Sequence, residues 1–162
     1  MSDLTDHLER PHGEPAHDAD VTPADGAPLL PNEGRLEANG LTFAYQTFGD
    51  PSDPPVLMVM GLGTQMIGWP EDLLEGLAAR GHYVIRYDNR DIGCSTHLDH
   101  LPAPGTAELR RYVTRRTKPP YGTDDMATDA LAILDALDLP VAHLVGVSMG
   151  GFIAQQAAIR AP

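Results

Sequence analysis

The sequence predicts an α/β fold, an N-terminal β-hairpin followed by parallel strands with flanking helices. Three observations carry this. Two extended segments flank the turn pair Asn39-Gly40. Apolar, strand-like runs then alternate with stretches of helical period. The last of those runs enters the pentapeptide Gly146-Val147-Ser148-Met149-Gly150, and a helical stretch leaves it.

Residues 1–33 mix Pro, Asp, His and Ala with almost no periodic apolar positions. They read as a disordered acidic tail ahead of a domain over 34–162. His7, His12 and His17 stand five apart there, but no cysteine or fixed scaffold accompanies them, so solvated tail residues are the better reading than metal ligands. Residues 34–38 and 41–48 form the hairpin, with Leu41, Phe43 and Tyr45 alternating with polar or small residues. Residues 55–60 are a continuous apolar run, the pattern of a strand covered on both faces, and Gly61-Leu62-Gly63 turns the chain.

Residues 66–80 carry Trp69, Leu73, Leu74 and Leu77 at helical spacing and predict one helix, closed by Gly81 just past its end. Residues 82–87 are the next apolar strand. The stretch 94–122 contains Pro102, Pro104, Pro119 and Pro120 without a clear period and reads as a loop or small excursion. Its basic run (Arg110, Arg111, Arg115, Arg116, Lys118) is read as a solvated face. Thr123 is placed as an N-cap, with Asp124 and Asp125 in the first turn, where the helix dipole favours acids. Met126, Ala130, Leu134 and Leu137 line one face of that helix, which Leu139-Pro140 ends. Val141, Leu144, Val145 and Val147 make the final strand, and 151–160 the final helix.

The pentapeptide has a chemical rationale. A serine exposed at a sharp strand-to-helix turn sits in a strained backbone conformation. Gly146 and Gly150 keep side chains from colliding where strand and helix cross. The helix start presents backbone N–H groups to a developing negative charge.

Composition narrows the function classes. Residues 1–33 hold eight acids against the single base Arg10, so −7 of the net −12 lies there. An acidic body argues against nucleic acid, which needs a basic face. The single cysteine, Cys94, forms no internal disulfide. The acid-rich start fits neither a secretory signal nor a transit peptide, and no apolar run approaches the ~20 residues that span a bilayer. A cytoplasmic protein without a membrane role is expected.

Four separated pieces resemble the α/β-hydrolase family, in that family's order. Residues 55–61 look like the strand carrying the oxyanion turn. Asp88-Asn89-Arg90-Asp91-Ile92-Gly93-Cys94-Ser95 looks like the D-x-R-G-x-G-x-S loop, with Asp91 where glycine is usual. Met126-Ala127-Thr128-Asp129 lies on the helix before the nucleophile strand. His143-Leu144-Val145-Gly146-Val147-Ser148-Met149-Gly150-Gly151 looks like the nucleophile elbow. The wording of the Gly61–Met66 turn and of the Asp88 loop is most similar to bacterial esterase-type members, polyketide methyl esterases of the aclacinomycin methylesterase kind among them.

The resemblance covers about 34–162 and implies the N-terminal half of that fold. It implies Ser148 as nucleophile and the backbone N–H groups of Leu62 and Met149 as oxyanion donors, with Gly146 and Gly150 as elbow glycines. It implies a small-molecule ester or related acyl substrate and neither metal nor cofactor. Most relatives have histidine where Met60 stands; the donor is main chain, so the hole survives the change.

His143 begins the strand that ends at Ser148, roughly 15 Å away at ~3.3 Å per residue, which is too far for a base. Asp88 and Arg90 are expected to brace their loop, and Cys94 and His97 to pack or face solvent. The family's acid and histidine follow the serine, and Asp129, Asp135 and Asp138 precede it. A partial serine hydrolase is therefore expected, inactive alone, with its nucleophile strand at a sheet edge open to self-association. The alternative is a catalytically inactive truncated hydrolase serving as an interaction module.

Overall fold

The computed structural model of the chain describes residues 32–101, 105–114 and 118–162. The expected tail with its three histidines, apart from Asn32 and Glu33, falls outside these residues, as do Pro102, Pro104, Arg115 and Arg116. Glu33 itself opens the first strand, one residue ahead of the expected boundary.

The elements run β1 (Glu33–Ala38), β2 (Leu41–Phe48), β3 (Pro55–Val59), a 3-10 turn (Met66–Gly68), α1 (Glu71–Ala78), β4 (Tyr83–Tyr87), α2 (Thr106–Val113), α3 (Thr123–Ala136), β5 (His143–Gly146) and α4 (Met149–Arg160). They build one mixed sheet in the order β1-β2-β4-β3-β5. β1 and β2 form the antiparallel hairpin, and Asn39 (φ 48) and Gly40 (φ 72) supply the two left-handed positions that its tight turn needs. β2 runs antiparallel to β4. β4, β3 and β5 are parallel.

The uninterrupted apolar character of β3 follows from burial on both faces. Leu57 and Val59 join Phe43, Ile85 and Tyr87 under α3 and α4, where Ala127, Ala130, Ile133, Ile153 and Ala157 pack on them. Val56 and Met58 point the other way and, with Val84, meet Leu74 of α1. β5 pairs only with β3 among the described residues, so its outer side is open. Val145 on it, Val141 and Val147 on either side of it, and Phe152 and Ile159 on α4 are exposed.

Four local expectations need correction. The helix expected over 66–80 is split, because Pro70 lacks an N–H and sits in extended geometry as the N-cap of α1. Gly81 (φ 78) lies two residues past the C-cap Ala79, not one. The aperiodic stretch contains the eight-residue α2, on which Arg110 and Arg111 are exposed as its solvated face. Gly122, not Thr123, is the N-cap of α3. Asp125 reaches back to accept from the Gly122 N–H at 2.8 Å, while Thr123 Oγ1 accepts from Gln156 Nε2 at 3.0 Å.

Tyr87 is fully buried, and its hydroxyl has no partner among the described residues. Burial, and secondarily the charge of Asp129, push its phenol far above the ordinary 10.0. Burial and a hydrogen bond to Asp91 push Tyr121 up to about 12. Both folded values exceed the unfolded one, so the unfolded chain releases these protons first. Their contribution to stability is complete below pH 10 and declines as pH rises above it, through about 12 for Tyr121 and further still for Tyr87. Tyr87→Phe removes an unpartnered buried hydroxyl. It is expected to hold or raise neutral-pH stability, by up to about 1 kcal/mol, and to flatten the alkaline loss. Urea unfolding on either side of the phenol range reads both effects.

Candidate active site

Ser148 stands between the end of β5 and the first residue of α4, at φ 55 and ψ −121. This region is nearly closed to residues with a side chain, and holding a residue there costs of order 1–3 kcal/mol. The surrounding backbone enforces it. Val147 N–H donates to Val59 O at 3.2 Å, tying the junction to β3, and the Gly150 N–H donates to Val147 O at 2.9 Å. α4 thus starts at Met149, two residues earlier than expected, directly after the serine.

The two elbow glycines are places of close backbone approach. A Cβ on Gly146 would lie 2.2 Å from Gly150 O, and one on Gly150 would lie 2.1 Å from Val59 O. Neither carbonyl can yield without moving a strand or the helix start. Gly150→Ala is therefore expected to cost about 1–3 kcal/mol by overpacking and to displace Ser148, an effect visible as a lowered urea midpoint.

The turn after β3 packs onto the serine. A Cβ on Gly61 would sit 3.3 Å from Ser148 Cβ and 3.8 Å from its Oγ. Leu62 follows, with its side chain 79% exposed, and Gly63 at φ 68 completes the turn. Among the described residues the N–H groups of Leu62 and Met149 have no protein acceptor, and Ser148 Oγ makes no hydrogen bond. Met60, where most relatives have histidine, is buried with its thioether end against Gly68.

The loop after β4 braces this turn. Asp88 Oδ1 accepts from the Met66 N–H at 2.6 Å and Oδ2 from the Cys94 N–H at 3.0 Å. Asn89 Nδ2 donates to Met60 O at 3.1 Å. Arg90 makes a two-pronged pair with Asp129, Nε to Oδ2 and Nη2 to Oδ1, each 2.6 Å. Asp91 takes a left-handed φ of 64, which accounts for glycine being usual there. Its Oδ1 accepts from the Leu98 N–H at 2.6 Å.

Sequence reasoning placed Asp88 and Arg90 as braces but missed Asn89, which holds Met60 O, and Asp129, the partner of Arg90. The signal for Asp129 was present, since it falls on the helical face traced by Met126, Ala130 and Ile133 and is buried there.

The structure keeps the other candidates apart. His143 is exposed at the far end of β5, paired in register with Val56, and its ring meets His82 edge to face at 6.2 Å. Cys94 and His97 border a separate cleft of about 410 Å³ with Arg35 and Thr42, lined by none of the elbow residues; His97 Nε2 lies 3.0 Å from Gly93 O. Among the described residues no three His, Cys, Asp or Glu side chains gather as a metal site, and no helix is long and apolar enough to cross a membrane.

A strand, a serine at positive φ, a helix and an adjoining glycine turn, in this sheet order, find their match in known proteins. Residues 54–162 match the family described as alpha/beta hydrolase fold. The chain belongs to the α/β-hydrolase family. It is 41% identical over 122 residues to rhodomycin D methylesterase DauP of Streptomyces sp. (strain C5), covering 75% of this chain and 36% of that protein. It is 38% identical over 122 residues to rhodomycin D methylesterase DnrP of Streptomyces peucetius, with the same coverage of each chain, 75% and 36%. Among solved structures it resembles the thioesterase domain from the curacin biosynthetic pathway, with a TM-score of 0.59, 27% identity, and coverage of 79% of this chain and 41% of that one. The α/β-hydrolase chain thus spans about a third of the length of the two methylesterases it matches.

Proposed function

We propose that this chain carries the nucleophile and oxyanion hole of a hydrolase acting on small-molecule carboxylic esters. The observation that carries it is Ser148 held at φ 55 between β5 and α4, with Gly61 packed against it. Two relatives named methylesterases support a methyl ester as the substrate class. In the reaction, Ser148 Oγ attacks the ester carbonyl carbon and gives its proton to a base. The N–H groups of Leu62 and Met149 take the oxyanion, and the alcohol leaves with that proton. Water then attacks the acyl-serine and releases the acid. The base and its orienting acid come from outside these residues, because no group in the described structure hydrogen-bonds Ser148 Oγ. A second reading, an inactive interaction module, is favoured by the open outer side of β5 and the exposed Val145 on it. The open edge of β5 supports self-association of the isolated chain, read as a concentration-dependent mass in sedimentation.

A fluorophosphonate probe separates the two readings, with imidazole added as a diffusible base. The esterase reading expects labelling on the peptide carrying Ser148, accelerated by imidazole. Absence of labelling at Ser148 at any imidazole concentration would favour the module.

A further inference from the structure

We propose that Asn89 and Asp88 are positioning residues for the oxyanion hole, acting as a buried bracket that fixes where the Leu62 N–H points. The inference rests on the reading of Leu62 as an oxyanion donor and goes further, to what places it.

The turn between β3 and the 3-10 segment has little of its own to hold it. Its internal bonds are long: Thr64 N–H to Gly61 O at 3.4 Å and Thr64 Oγ1 to Leu62 O at 3.4 Å. Bonds of that length are weak. Leu62 contributes no packing, since its side chain lies in solvent.

Both ends of the turn are gripped from the loop after β4. The Met60 carbonyl, one residue before Gly61, accepts from Asn89 Nδ2 at 3.1 Å. The Met66 N–H, at the other end, donates to Asp88 Oδ1 at 2.6 Å. Asp88 and Asn89 are 3% and 2% exposed, so these bonds work without competition from water.

The bracket is itself immobilised. Gly93 (φ 56) lets the loop wrap onto Asp88, where a Cβ would come within 2.0 Å of Oδ2, and the Cys94 N–H occupies that oxygen. The adjoining Arg90 is anchored to Asp129 on α3. Ser148 is fixed separately, through Val147 and Gly150 against β3. The distance from serine to Leu62 amide therefore depends on the bracket, and misplacing such a donor by about 1 Å costs on the order of 10²-fold in rate.

The test follows fluorophosphonate labelling of the full 162-residue chain with imidazole, for the wild type, Asn89→Leu and Asp88→Asn. Asn89→Leu keeps the branching of the side chain, at a larger volume, but cannot donate to Met60 O. Asp88→Asn keeps the shape and loses one of the carboxylate's two bonds. The saturating labelling rate is expected to fall about 10- to 100-fold in Asn89→Leu and by less in Asp88→Asn. The probe concentration at half-saturation should stay unchanged. The 31P resonance of the Ser148 adduct should shift, because the phosphoryl oxygen loses a hydrogen bond, a signature that lowered stability alone does not produce.

If Asn89→Leu does not fold, Asp88→Asn decides. Folded variants with the wild-type rate and 31P position would overturn the bracket while leaving Ser148 as nucleophile. Failure of the wild type to label at Ser148 would instead remove the reading beneath it.

Discussion

Ser148→Gly is expected to abolish covalent labelling completely and, at the same time, to make the chain more stable. Ser148 holds φ 55 and ψ −121, where a Cβ is strained by of order 1–3 kcal/mol. Glycine relieves that strain but loses about 0.5–1 kcal/mol more backbone entropy on folding, leaving a net gain of about 1 kcal/mol. Ser148→Ala is the control. It also loses the hydroxyl but keeps the Cβ, so labelling vanishes without the gain. A serine retained for structure would show the reverse, with stability falling in both variants. Urea unfolding beside mass-spectrometric labelling gives both numbers from the same preparations, and residual labelling in either variant would place the nucleophile elsewhere.

The second large effect lies away from the serine. Asp129→Ala is expected to destabilise the chain by about 3–5 kcal/mol, because it leaves the Arg90 guanidinium buried without its counter-charge. It also removes the acceptor for Asn39 Nδ2, 2.8 Å from Asp129 Oδ1, which ties the hairpin turn to α3. Burial by itself would lower the Arg90 pKa, yet the hydrogen bonds and charge of Asp129 raise it, so the guanidinium stays charged in either case. The double variant Arg90→Met, Asp129→Leu removes both charges and should recover much of the loss, since an apolar pair of similar volume is often as stable as a buried ion pair. A loss under about 1 kcal/mol in Asp129→Ala would show that the pair contributes little.

The residues made most of this fold legible, for identifiable reasons. Asn39-Gly40 announces a hairpin because few residue pairs accept two left-handed positions. The unbroken apolar run of β3 announces burial on both faces, and the helices found there supply it. The elbow glycines were legible through sterics, with Val59 O and Gly150 O now the named obstacles.

What escaped was settled by contacts distant in sequence. Pro70 splitting the helix was readable and was outweighed by the helical spacing of Trp69, Leu73 and Leu77. Asp125 capping Gly122 was hidden by Thr123, a better N-cap by type, whose hydroxyl instead serves Gln156. Asn89 carries no local pattern, and its partner Met60 is 29 residues away. Asp91 was readable only as a departure from a motif, and the positive φ explains the motif.

The measurement that bears most directly on the central claim is a crystal structure of the chain after fluorophosphonate labelling. The phosphorus is expected on Ser148 Oγ, with the phosphoryl oxygen about 2.7–3.1 Å from both the Leu62 and Met149 nitrogens. A phosphoryl oxygen turned into solvent, away from both amides, would contradict the account.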